Sequence, residues 1–330
     1  MKKDFLSIFL VLVITTLFFC LIVGYVSAEQ EITFKFAHEA ALDHPENKAA
    51  ERMKAVLSEK SNGRINMVIY PSAQLGSSQQ RMTAMITGAI QMGPIATFGT
   101  IEPRLLVVEA PYIFVNDEEM VKFQRSDAAM ELLALLEKHG IHGMGWEPIG
   151  FRNIGTVKKP VYNIDDLKNL TIRAFENKML IDILEALGAN VTVIPYAELY
   201  LALQTGTIDG EDNPYHNKVR QKFYEVEKYI IESHHMCGFT AVAANKKWWD
   251  GLSSDDQKII NDAFQEYLET YNKNFFEDTL NAKQLIIDSG VTIVEIEDYQ
   301  PWKDAVKDVY SKYEKEFGVE LMEKIKKAIQ

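Results

Sequence analysis

Cysteine is nearly missing from this chain of 330 residues, which holds two. One of them, Cys20, lies in an apolar run near the amino terminus, so the remainder has Cys237 alone. An intrachain disulfide is therefore excluded there, and thiol catalysis has no visible support. Phosphate-cradling glycine patterns are missing as well. Neither GxGxxG nor GxxxxGK[ST] occurs, and no GxSxG nucleophile elbow is present. The 7 histidines show no HExxH or related ligand spacing, so neither a metal nor a cofactor is expected. Positive charge is in deficit, with a net charge of −12, which disfavours a nucleic-acid partner. Low-complexity tracts are absent, and a composition 47% apolar and 25% charged is that of a globular protein long enough for two domains.

One long apolar run exists, at the start. Lys2 and Lys3 precede Phe5 to Gly24, and Val26-Ser27-Ala28 follow. A basic start, an apolar middle and small residues read as an export signal spanning 1–28, cut after Ala28. The length of the run keeps an uncleaved membrane anchor as the alternative. Phe19 is too bulky to precede a lipid-bearing cysteine, so Cys20 is taken as part of the run.

The rest alternates strands and helices. EITFKFA alternates polar and apolar residues as a strand does, and Pro45 opens a helix stopped by Asn62-Gly63. RINMVIY is a strand, Ser77 and Ser78 can cap a helix, AIQMGPIA is a third strand, residues 117–139 form a helix, and IHGMGW is a strand. The pattern then restarts with FRNIGTV, LTIRAF, a helix over 177–187, NVTVIP, a helix over 196–205 and GTIDG. FTAVAAN, a long helix from Ser254 to about Asp288, VTIVEI and a helical 299–329 complete the chain. This is the order of a mixed α/β fold with two similar lobes, and ligands of such folds sit where strands end. The run GEDNP, from Gly210 to Pro214, is expected as a loop leaving a strand beside the cleft.

Candidate site residues lie at those strand ends. Arg173 follows Leu170-Thr171-Ile172, and an arginine there is costly to bury unless it meets an anion. Its planar fork suits a carboxylate, the alternative being a structural pair with Glu211 or Asp212. Arg152 lies in the segment joining the halves. Asn213 offers both a donor and an acceptor, or else stabilises its own turn before Pro214. Tyr196, Phe175 and Trp146 can wall a pocket or pack the core.

Several segments together carry a resemblance: FAHEAALDHPENKAAERM, SNGRINMVIYPSAQLGSSQQ, DDLKNLTIRAFEN, LGANVTVIPYAELYLALQTGTIDGEDNP, KFYEVEKY and NKKWWDGLSSDDQKII. In this order they resemble the extracytoplasmic solute-binding proteins of tripartite ATP-independent periplasmic (TRAP) transporters, from about residue 31 to 330. The resemblance implies a two-lobed type II periplasmic-binding-protein fold with hinge strands and a long helix spanning both lobes. It places the carboxylate anchor on Arg173, a second arginine on Arg152, the amide on Asn213 and the aromatic wall on Tyr196, and polar contacts at the first strand's exit on His38 and Glu39. It implies an organic-acid ligand, a C4-dicarboxylate or a sugar acid such as a uronate, delivered to the small and large membrane subunits of a transporter. A monomer is expected. LGSSQQ, Phe175 and GPIATFG depart from the usual pattern at positions that tune the ligand.

The lobes are expected at 29–150 plus about 239–278, and at 151–238 plus about 279–330. Two other readings stay open: an extracytoplasmic lyase with His38 or His216 as base, and the ligand sensor of a signalling system.

Overall fold

The computed structural model describes residues 30–330, and the expected export signal lies outside them. Eleven strands among the described residues form two sheets: β1 (Ile32–Ala37), β2 (Ile65–Tyr70), β3 (Met92–Ile95), β4 (Ile141–Phe151), β5 (Asn153–Thr156), β6 (Thr171–Ala174), β7 (Asn190–Val193), β8 (Gly210–Asn213), β9 (Tyr229–Ile231), β10 (Cys237–Asn245) and β11 (Thr292–Val294). The first sheet has the order β2-β1-β3-β10-β4, and the second β11-β9-β5-β8-β6-β7. In each, one strand arriving from the other half runs against its neighbours: β10 is antiparallel to β3 and β4, and β5 to β8 and β9. The remaining pairs are parallel, so their carboxyl ends gather at one edge of each sheet.

Local sequence explains the elements. In β1, Phe34 and Phe36 point into the core while Lys35 between them is exposed. Pro45 starts the helix Pro45–Lys60, the His44 side chain accepts the Glu46 amide, and Ala49, Ala50, Met53, Val56 and Leu57 form its buried stripe. The helix Ser254–Asp288 is capped by Ser253. At 1.5 Å per residue it is about 50 Å long. Its early face, Ile260, Phe264 and Tyr267, packs with Phe34, Phe36 and Met53 of the first lobe. Its late face, Ala282 and Ile286, packs with Tyr215 and Ile230 of the second. One rigid rod thus lies across both lobes.

Two chain segments join them. Arg152 alone separates β4 from β5, and its amide donates to Met236 O at 2.9 Å on the returning segment. On that return His234 takes a positive φ of 44°, with its ring stacked between Phe151 (4.4 Å) and Tyr299 (5.8 Å). The carboxyl-terminal helices bridge the halves. Helix Lys307–Phe317 contacts both Lys178–Ala186 and Pro103–Glu109, and Val319–Ile329 packs on Asp117–Gln124 and Asp127–Ala134.

Three expectations change. The expected helix over 117–139 breaks into Asp117–Gln124 and Asp127–Ala134, because Ser126 accepts the Ala129 amide and caps a new helix. The helical 299–329 divides at Val306 and at Gly318, where φ is 101°. The third concerns GEDNP. Gly210–Asn213 is not the loop after a strand but the strand β8 itself, all four residues buried. The strand β9 had no counterpart in the sequence reading.

Candidate functional site

The two acids of β8 are tolerated inside because each has its own cation. Asp212 is bound by Arg152: Nε donates to Oδ2, while Nη2 reaches Oδ1 at 3.2 Å and the Asp212 carbonyl at 2.6 Å. His235 Nε2 adds a contact at 3.3 Å, and Ser233 Oγ lies 2.8 Å from His235 Nδ1. Burial alone would raise the Asp212 carboxyl, but Arg152 and His235 outweigh it and hold it at about 2. Glu211 is paired with Lys218, which also donates to Glu227 at 3.1 Å, and Asn213 Nδ2 donates to the second Glu211 oxygen. Burial works against the Lys218 cation, yet the two carboxylates raise its pKa. Glu227 is driven the other way, its pKa raised by burial despite Lys218.

Arg173 differs from these cations. It sits on β6 beside Glu211, 2% exposed, and Nε donates to the Ile194 carbonyl at 2.8 Å. Its two terminal nitrogens donate to no group among the described residues, and no carboxylate lies within ion-pair distance. Burial lowers its pKa, opposed by the more distant Glu211 and Asp212. The structural pairing weighed for Arg173 is therefore absent among the described residues, its two possible partners being committed to Arg152 and Lys218.

The aromatic residues divide. The Tyr196 ring lies 5.7 Å from the Arg173 guanidinium and is part-exposed, and Phe175 lies 5.0 Å from that of Arg152. Asn213 Oδ1 accepts from Arg152 Nη2 at 3.4 Å. Arg152, Arg173, Phe175, Tyr196 and Asn213 are thus gathered at one edge of the second sheet. Trp146 is not with them. It is fully buried, its Nε1 donates to Ala129 O at 3.0 Å, and Phe98, Phe123 and Phe239 surround it in the first lobe's core.

His38 and Glu39 follow β1 in the first lobe, and among the described residues no hydrogen bond or ion pair joins them to that cluster. His38 is fully buried, with Glu46 Oε1 3.5 Å from Nδ1. Half-exposed Glu39 receives both terminal nitrogens of Arg81 at 3.3 Å. His216, on the helix Tyr215–Arg220, is buried against Phe275, its pKa lowered to about 3 by burial and then by Arg220, His44 and Arg152. Neither His38 nor His216 holds the hydrogen bond to an orienting carboxylate that a general base uses.

Sequence reasoning passed over Lys218, Glu227, Ser233 and His235. Lys218, on the helix that follows β8, and Glu227, before β9, read as ordinary surface charges, and only their meeting with Glu211 in the fold brings them inside.

Residues 36–316 match the family model of the bacterial extracellular solute-binding proteins, family 7. The chain is 32% identical over 305 residues to the C4-dicarboxylate-binding periplasmic protein DctP of Rhodobacter capsulatus, covering 91% of each. A TRAP periplasmic solute-binding protein from Ochrobactrum anthropi, solved with a C-terminus bound in the ligand-binding pocket, superposes with a TM-score of 0.88 at 30% identity over 91% of this chain and 95% of that one. A second, from a Bradyrhizobium species in complex with galacturonate, gives 0.77 at 27% identity over 90% and 99%.

Proposed function

Because this chain belongs to the bacterial extracellular solute-binding proteins of family 7, the TRAP periplasmic type, we propose that it captures an organic-acid anion in the cleft between its lobes and delivers it to a TRAP-type membrane transporter. The ligand is a C4-dicarboxylate or a sugar acid, two of the classes named for its relatives. The observation that carries this reading is Arg173: a buried guanidinium at a strand end whose two terminal N–H groups point to no protein acceptor among the described residues. A buried charge without a partner is expensive, and a carboxylate accepting two parallel bonds removes that cost. Tyr196 and Phe175 supply the apolar walls, and Asn213, fixed by Glu211 and Arg152, supplies an oriented amide.

Arg152 acts differently from Arg173. Most of its fork is committed to Asp212, so it meets the ligand through what remains, or holds Asn213 in place. The protein acts by binding and release rather than by turnover, and the lobes, 29–150 with about 239–278 and 151–238 with about 279–330, close on the ligand about the Arg152 and His234 crossings, with the carboxyl-terminal helices as a strap between them. Among the described residues no helix is long and apolar enough to cross a membrane. Thermal-shift screening against organic acids tests the reading, since a ligand bound to the folded state raises the melting temperature. An acid should stabilise the protein and be recovered unchanged. Chemical conversion of the bound acid, or stabilisation by neutral or cationic solutes alone, would reject it.

A further inference from the structure

At the crossing of the lobes lies a cavity of about 150 Å³, and none of Arg152, Arg173, Phe175, Tyr196 and Asn213 lines it. Phe151 and Asn153 both line it, while Arg152 between them turns to Asp212, so the cavity and the Arg173 cluster lie on opposite faces of the crossing. Its walls come from both halves. Ile149 and Phe151 end β4, Asn153 and His216 belong to the second lobe, and Phe275 and Thr279 lie on the helix Ser254–Asp288 that spans the two. Three polar atoms on these walls make no hydrogen bond among the described residues: Asn153 Oδ1, His216 Nδ1 and Thr279 Oγ1. Asn153 and His216 are only 1% and 8% exposed. A buried polar atom without a partner is costly, and three from separate elements on one cavity mark a place where a bound molecule supplies the bonds. One water needs about 10–15 Å³, so the cavity takes a molecule of several non-hydrogen atoms.

We propose that this cavity is a second binding site, for a small neutral molecule bearing hydroxyl groups and about the size of glycerol, and that its occupant is linked to the acid in the cleft. The balance of donors and acceptors sets the class. Asn153 Oδ1 only accepts, so an anion suits it badly. A cation would meet Lys283 on the same lining, and the Glu232 carboxylate there is already held by Lys283 at 2.7 Å and by the Tyr215 hydroxyl at 2.9 Å. The other acid on the lining, Asp117, is exposed to solvent, which screens it. A hydroxyl donates to Asn153 Oδ1, exchanges a bond with Thr279 Oγ1 and serves His216 Nδ1 in either tautomer. Burial, then Arg220, His44 and Arg152, lower the His216 pKa to about 3, so that ring is neutral. Ile149, Phe151 and Phe275 give the carbon skeleton an apolar bed. The linkage rests on closure of the lobes about Arg152 and His234. Both chain neighbours of Arg152, and His234 itself, line the cavity, so closure reshapes it and the occupant binds the open and closed forms unequally. The acid then changes the affinity for the occupant by the same factor as the occupant changes that for the acid.

An NMR titration of the purified protein with glycerol, read at the backbone amides of Asn153, His216 and Thr279, tests the site. Ethylammonium serves as the cationic probe, and sucrose, too large for the cavity, controls for bulk solvent. Glycerol should give saturable shifts with a Kd of roughly millimolar order, as its few heavy atoms allow. Ethylammonium should bind at least about tenfold more weakly. Thr279→Val keeps the shape, removes the hydroxyl and should weaken glycerol by about three- to tenfold, the value of one neutral hydrogen bond. Calorimetry with succinate and D-galacturonate should show the affinity of whichever acid binds changed by at least about fivefold in saturating glycerol and unchanged in sucrose. Shifts that never saturate, shifts equal in sucrose, or a Thr279→Val protein that binds glycerol as the wild type does mean that the cavity holds water only and overturn the site. Tighter binding of ethylammonium overturns the ligand class. Saturable glycerol binding with unchanged acid affinity overturns the linkage. Failure of both acids to bind rejects the organic-acid reading and the linkage with it, while the shifts still decide the site. Should Thr279→Val not fold, the wild-type titrations decide alone.

Discussion

Arg173→Ala separates a ligand clamp from a structural arginine. In the unliganded protein the side chain makes one hydrogen bond, Nε to Ile194 O at 2.8 Å, and sits 5.7 Å from the Tyr196 ring. Removing it forfeits about 1.5–3 kcal/mol for the charge-assisted bond and about 0.5–1 kcal/mol for the ring contact. The same truncation releases a buried charge whose desolvation opposes both terms. The net change in apo stability is therefore small, within about 2 kcal/mol. Affinity should respond far more. Two parallel charge-assisted bonds to a carboxylate are worth about 3–6 kcal/mol together, so binding weakens by about two to four powers of ten. Arg173→Lys keeps the charge and loses the fork, and it should also bind poorly. Isothermal calorimetry for affinity and differential scanning calorimetry for stability provide the two readouts. Near-normal affinity with a large drop in apo melting temperature would refute the clamp.

Lys218→Met should show the reverse pattern, a loss of about 3–5 kcal/mol in apo stability, because Glu211 and Glu227 would be left buried without their cation; a melting temperature unchanged at pH 7 counts against it. Stability should peak at about pH 6. His38 and His44 at about 4 and His216 at about 3 lie below their usual 6.5, so their contribution is complete above that value and is lost as pH falls through the folded pKa values. Glu46 at about 8 and Glu109 at about 7 lie above 4.5, so their contribution is lost as pH rises through those values; a melting temperature flat from pH 4 to 8 contradicts both assignments. Small-angle scattering with a saturating acid should show a smaller radius than the unliganded protein if the lobes close about Arg152 and His234, and an identical radius rejects closure.

Much of the architecture is written locally in the chain. Pro45, Ser77 and Ser253 announce their helices, the alternation of Phe34 and Phe36 with Lys35 announces β1, and the helix Ser254–Asp288 begins and ends where its pattern does. Such signals depend on neighbours within a turn or two, and a sequence displays them directly. Arg173 was legible for the same reason, as an arginine ending an apolar strand. The helix over 196–205 was legible too, whereas GEDNP was legible only as an uncommon run and not in its conformation: β8 looked like a loop because acids, Gly and Asn avoid strands.

What the sequence could not decide was which charges meet. Glu211, Asp212, Arg152, Lys218 and Glu227 are spread over 76 residues of chain, and their pairing arises from strand order, with β8 lying between β5 and β6. That order commits Arg152 to Asp212 and Lys218 to Glu211, and by doing so leaves Arg173 without a carboxylate partner among the described residues. Trp146 shows the same limit. Its aromatic side chain suits a pocket or a core equally, and only its place opposite Ala241 on β10 turns it inward. Periodicity and caps are short-range properties that the sequence alone determined; the partner of a buried charge is a long-range one, decided where the folded sheets bring distant strands within hydrogen-bonding distance.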